Sequence, residues 1–223
     1  MKERLLMISS MISLFGCMSS SDPRLNVDQD LETPRFTVSK LKGNCELRSY
    51  PAHLVASVEV SGDFDTASNR GFRALAEYIF GGNRSQASIQ MTAPVSVGPT
   101  QSEAGELSEK IAMTTPVSIA ERRAQSWEVT FSMPSKYTLE TLPAPQDPSI
   151  KLYERSEERV AVIVFSGRAG QSDRARYEDQ LRAWMREEGL IPSGPVVIAR
   201  YNSPLTFPWN RRNELIIPVK FSL

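Results

Sequence analysis

Apolar and polar residues follow two different periods along this chain. From Glu46 to Val60 the period is two. Leu54, Ala56, Val58 and Val60 alternate with His53, Val55, Ser57 and Glu59, which predicts a strand with His53, Ser57 and Glu59 on its more polar face. Gly62 and Asp63 break that pattern. Phe72, Leu75, Ala76 and Ile79 then recur at spacings of three, one and three, the apolar stripe of an amphipathic helix. Asp65 or Thr66 is the expected N-cap, and Gly81-Gly82 the stop.

A related arrangement returns 105 residues later. Val160 to Phe165 is a nearly continuous apolar strand closed by Ser166-Gly167, where the first copy has Ser61-Gly62. A second helix follows, with Ser172 or Asp173 as cap, Tyr177, Leu181, Trp184 and Met185 along one face, and Gly189 at its end. Further strands are expected over Ile89–Val97, Ile111–Ile119, Trp127–Met133, Val196–Tyr201 and Leu215–Phe221. The Pro-rich stretch from Thr141 to Ser149 reads as a linker between halves at about 44–140 and 150–221. Two halves of one strand, one helix and a group of antiparallel strands make an α+β protein: a distorted antiparallel barrel carrying two helices, related by a pseudo-twofold.

The N-terminus has a pattern of its own. Lys2 and Arg4 precede an apolar run from Leu5 to Phe15, interrupted only by serines. Eleven residues are too few to span a hydrocarbon core of ~30 Å, but they suit the apolar region of a signal peptide. The run ends in Leu14-Phe15-Gly16-Cys17, which resembles the lipobox of bacterial lipoproteins. That resemblance implies a signal peptide over residues 1–16, a lipid on Cys17 and a polar tether over 17–43. The domain would then face the periplasm or another extracytoplasmic space from the bacterial cell envelope. An ordinary secretory signal with an incidental cysteine is the alternative.

Charge and composition narrow the partners. With 26 Lys plus Arg against 26 Asp plus Glu, no long-range field draws in nucleic acid, and no such partner is expected. One His and two Cys cannot furnish the four ligands of a Cys/His zinc site or a disulfide framework. If Cys17 carries lipid, Cys45 has no intramolecular partner and is expected as a small buried residue of a strand. Arg122-Arg123 and Arg211-Arg212 read as solvated surface or structural ion pairs.

Met91-Thr92-Ala93-Pro94-Val95 recurs as Met113-Thr114-Thr115-Pro116-Val117. A proline within a strand removes a ladder donor, so each copy marks an edge or bulge, and that mechanical meaning requires no ligand. The doubled motif occurs together with Tyr50-Pro51, Gly71-Phe72, Tyr201-Asn202-Ser203-Pro204 and Arg211-Arg212-Asn213-Glu214. In that combination the chain resembles the SOUL haem-binding proteins from about Cys45 to Val219.

The resemblance implies a distorted eight-stranded barrel of two halves with two helices, in a domain spanning 44–223. It also implies haem or another tetrapyrrole, a small hydrophobic ligand, in an apolar groove beside the first helix. Phe72, Leu75, Ala76, Ile79 and Phe80 would line it, and Arg70, Arg73 or Arg84 would meet propionates. A helix merely packed on a sheet shows the same stripe. His53 is the only imidazole available to iron; some family members use a histidine and others do not, and its polar-face position also fits an exposed, inert residue. No nucleophile elbow, zinc-protease pair or phosphate-binding loop is present, so no catalytic constellation is recognised. The alternatives are an envelope interaction protein of this fold that binds no haem, or, by analogy with the GyrI-like superfamily, a small-molecule hydrolase.

Overall fold

The computed structural model describes residues 31–84, 108–203 and 205–221. Cys17, the signal segment, the Met91 motif copy and the strand expected over Ile89–Val97 lie outside the described residues.

The chain enters through strand β1 (Thr37–Lys42), which turns at Gly43 (φ 62°) into β2 (Cys45–Tyr50). Pro51-Ala52 then interrupts the strand expected over 46–60, and β3 (His53–Ser61) begins beyond it with different neighbours. Helix α1 covers Phe64–Ile79. Its N-cap is Asp63, whose Oδ1 accepts the Thr66 N–H at 2.9 Å, two residues earlier than Asp65. The reason is that the buried face already starts at Phe64 and continues through Ala67, Ser68, Gly71, Leu75, Tyr78 and Ile79. Gly71 permits this contact: a Cβ there would lie 2.4 Å from Val129 Cγ2.

After α1 come β4 (Asn83–Arg84), β5 (Val117–Arg123) and β6 (Ser126–Ser132). Residues 111–116 of the strand expected over Ile111–Ile119 are not helical or sheet-paired along their length, and the Thr115–Pro116 peptide is cis. The expected linker contains β7 (Ala144–Pro145), which pairs with β4, and is followed by β8 (Lys151–Arg155) and β9 (Glu158–Phe165). Helix α2 spans Gln171–Glu187 from a Gly170 N-cap that makes no side-chain capping bond. The chain closes with β10 (Leu190–Pro192), β11 (Val197–Arg200) and β12 (Asn213–Phe221).

The main sheet is antiparallel throughout, in the order β1-β2-β9-β12-β11-β5-β6-β3-β8, with β10 added beside β12. From β2 to β8 this order is symmetrical about the β11–β5 pairing, so β9 with its following α2 stands opposite β3 with its following α1. The sheet curls strongly into a half-barrel.

Strand alternation gives the sheet two different faces. On the helix-bearing face Ala56, Val58, Val129, Phe131, Ala161, Ile163, Leu215 and Ile217 join Leu75 and Ile79 of α1 and Leu181, Trp184 and Met185 of α2 in one core. A smaller cluster, Tyr50 with Val160, Val162 and Val164, belongs to the opposite, inward-curling face.

Candidate functional site

The expected groove residues of α1 divide into two groups. Leu75 and Ile79 are closed into the core and support the helix from beneath. Phe72, 38% exposed, and Phe80, 54% exposed, flank the buried face with the half-buried Ala76 between them. At 3.6 residues per turn these three positions form a single line along the helix. The Phe72 ring touches Phe131 on β6, with centroids 5.6 Å apart, and Lys110 Nζ lies 5.7 Å over the Phe80 ring. The segment carrying Lys110 is fixed by the Ile111 N–H, which donates to Ile79 O at 2.8 Å, and the half-buried Met113 packs against the same core. Arg70, Arg73 and Arg84 are exposed. On the helical wheel Arg73 follows the Ala76–Phe80 edge, whereas Arg70 falls on the opposite side. The result is an apolar strip with cations beside it, a surface suited to a flat apolar molecule bearing anionic groups.

His53 lies on the other face of the sheet. Its polar-face strand position is the one the sequence predicts, but that face lines the interior of the half-barrel. His53 is half-buried, and Pro51 O lies 3.0 Å from its Nδ1. It borders two neighbouring cavities of about 180 and 400 Å³, which also share Pro34 and Ser132. In the smaller one Arg122 Nε donates to Glu128 Oε2 at 3.1 Å, and Tyr153 Oη donates to Glu128 Oε1 at 3.2 Å. The sheet therefore separates His53 from Phe72, Ala76 and Phe80.

Deeper in the same interior is a polar network that the strand patterns did not predict. Arg48 Nη1 and Nη2 donate to the two carboxylate oxygens of Glu214 at 2.9 and 3.0 Å, and Arg48 Nε donates to Glu46 at 2.7 Å. Arg212 Nη2 and Tyr201 Oη donate to Glu214 at 2.6 and 2.8 Å. Burial alone would raise the Glu214 pKa, but the charges and hydrogen bonds of Arg48 and Arg212 hold it below the ordinary carboxylate value. Burial would likewise discharge Arg48, yet Glu214 and the neighbouring tyrosines keep it charged. The two arginines and two glutamates balance, as a buried cluster of charges requires. The motif residues Tyr201, Arg212 and Glu214 thus tie the sheet together from inside.

Relatives resolve what this combination of fold and motifs is. The model of SOUL heme-binding proteins matches residues 31–218. The chain belongs to the SOUL heme-binding protein family. Among SOUL-family relatives it is 28% identical over 171 residues to Heme-binding protein 1 of Xenopus laevis, covering 76% of this chain and 80% of that protein. It is 30% identical over 193 residues to human Heme-binding protein 2, covering 84% and 85%. A hydrolase from Listeria innocua shares the fold at 15% identity with a TM-score of 0.51, covering 82% of this chain and 94% of that one. The EcmrR C-terminal domain does so at 12% identity and 0.51, covering 80% and 98%. These solved structures place the SOUL chain in a GyrI-like architecture and show the fold alone.

Proposed function

We propose that this protein binds haem or a related tetrapyrrole against the outer flank of α1, and that a lipid on Cys17 holds it in the bacterial cell envelope. The observation that supports the ligand site is the line Phe72–Ala76–Phe80, where two phenylalanines about two turns apart keep substantial exposure while the helix's other large apolar residues, Phe64, Leu75, Tyr78 and Ile79, are buried. Covering that line with a planar macrocycle removes apolar surface from water at ~25 cal/mol per Å². Lys110 and Arg73 border the strip and suit propionates. The names of the Xenopus and human relatives, heme-binding proteins, support the same ligand class. The Leu14-Phe15-Gly16-Cys17 sequence supports the anchor.

At this flank the chain contributes apolar contact and cationic ends, and His53, on the far face, supplies no ligand to iron. Haem titrated into the full chain should give a saturable Soret change at about one per chain. Phe80→Glu should weaken binding about tenfold or more, while His53→Ala leaves the Soret position unchanged. Unsaturable partitioning in wild type would overturn the haem reading in favour of an envelope interaction protein or a hydrolase. A second ligand position rests on His53 itself, which borders both interior cavities. A Soret shift on His53→Ala, with Phe80→Glu silent, would place the ligand there. The anchor is tested separately by intact mass: a mature chain beginning elsewhere than Cys17 and without acyl mass overturns it.

A further inference from the structure

Phe64, the first residue of α1, has two guanidinium groups over its ring. Arg174 Cζ, from the first turn of α2, lies 3.7 Å from the ring centroid, and Arg200 Cζ, from the end of β11, lies 5.2 Å from it. The Nε atoms of both arginines are buried without a hydrogen-bond partner, and neither side chain forms an ion pair among the described residues. The nearby carboxylates do not meet them. Asp65 acts on both only through its charge. Glu178 accepts from Arg182 Nε at 2.8 Å, and Glu121 accepts the Gln125 N–H at 3.3 Å. Arg211, whose Nε donates to Thr206 O at 2.8 Å, adds a third positive charge felt by Arg200.

Buried N–H donors on cations are ordinarily satisfied, because leaving them unpaired costs more than an ordinary missing hydrogen bond. Both guanidiniums titrate below their usual value. Burial is the first cause for each, and Arg200 is also repelled by Arg174 and Arg211. Two guanidiniums that repel one another and leave their buried Nε–H groups unpaired are an arrangement that a bound anion would relieve. Access exists: Arg174 borders an open groove of about 640 Å³ whose walls include Trp127, Val196 and Ile198.

We propose that Arg174 and Arg200 form a binding site for an oxyanion, a carboxylate or a phosphate group, entering along this groove beside α2. The planar guanidinium fork suits both groups. The site stands on protein geometry alone and does not depend on haem binding at α1.

Inorganic phosphate is the first probe, compared with chloride at equal ionic strength in thermal melts of the full chain. Wild type should show a saturable rise in Tm, as any ligand of the native state does. Arg174→Gln and Arg200→Gln should each lower apparent phosphate affinity about tenfold or more, read as the phosphate-dependent rise in Tm relative to each variant's own phosphate-free melt. Arg123→Gln, an exposed arginine on the same groove, should respond like wild type. An equal phosphate response in wild type and the Arg174→Gln/Arg200→Gln double variant, or none in wild type, would overturn the site. A second arm identifies the source of the anion. Competition between phosphate and haem assigns the arginines to a propionate, and independent binding assigns them to a separate ligand. Haem binding with no phosphate response would sink the oxyanion site and leave the haem reading standing.

Discussion

Arg48 and Glu214 are 166 positions apart in the chain and meet in a two-bonded ion pair with neither side chain exposed. Arg48 comes from β2 and Glu214 from β12, and both strands pair with β9, which lies between them. The pair therefore crosses a strand on the inner face of the half-barrel. It ties the N-terminal strand β2 to the C-terminal strand β12 across β9.

Glu214→Gln should be the most damaging of the conservative changes in this network. It leaves Arg48 and Arg212 facing a neutral amide in a site closed to water, and removing one partner of a buried pair costs ~3–5 kcal/mol. By contrast, Arg122→Gln breaks a pair whose arginine is 45% exposed, and should cost under ~1 kcal/mol. Urea denaturation of the two variants checks the order, and equal losses would remove the special role of Glu214.

Acid should act through the same residue. The Glu214 pKa is lower in the folded chain than its ordinary value of 4.5. Its stabilising contribution is therefore complete above that ordinary value and is lost as pH falls through the folded one. Stability should be nearly level between neutral pH and about 5 and decline below, with Asp63, also held low by its Thr66 cap, acting in the same direction. Glu214→Gln, measured over the same range by chemical denaturation, should show a shallower decline. An identical slope would transfer the acid sensitivity to other carboxylates.

Some of this architecture is legible in the sequence, and the limits have physical causes. α1 and α2 are visible because each buries a stripe at the helical period. β1 and β8 are not: every residue of β1 is exposed, and β8 is a polar edge strand beside β3, so neither shows period two. The polar parity of His53 is readable, but whether a polar face meets bulk water or the inside of a curled sheet depends on the path of other strands. Arg212 and Glu214 fall within a recognisable motif, while Arg48 and Glu46 are unremarkable until β2 and β12 pair with opposite edges of β9. Arg174 and Arg200 escaped notice for the same reason, since only the fold brings both to the Phe64 ring.

Gly71 is a position where the motif and the packing make one claim. An alanine there would drive its Cβ to within 2.4 Å of Cγ2 of the fully buried Val129. Gly71→Ala should cost ~1–3 kcal/mol, the usual range for overpacking, despite the better helix propensity of alanine. Val129→Ala should recover part of the loss when combined with it, which denaturation of the double variant measures. Strict additivity of the two losses would show that the close approach of α1 to β6 is not what the glycine serves.

The two cysteines allow fold and anchor to be tested in one measurement. Cys45 is buried in β2, and burial pushes its thiol up to about 11, so it is protonated as well as hidden at pH 8. Disulfide-exchange reagents attack through the thiolate, so native Cys45 should be almost inert and become reactive only when the chain unfolds. A lipid on Cys17 would occupy that sulfur as a thioether. Protein extracted from the envelope should therefore expose one reactive thiol per chain in denaturant, and Cys17→Ser should leave that number unchanged. Two thiols in the extracted protein, falling to one in Cys17→Ser, would show an unmodified Cys17 and remove the anchor, whereas rapid labelling of the native Cys17→Ser chain would place Cys45 at an accessible surface.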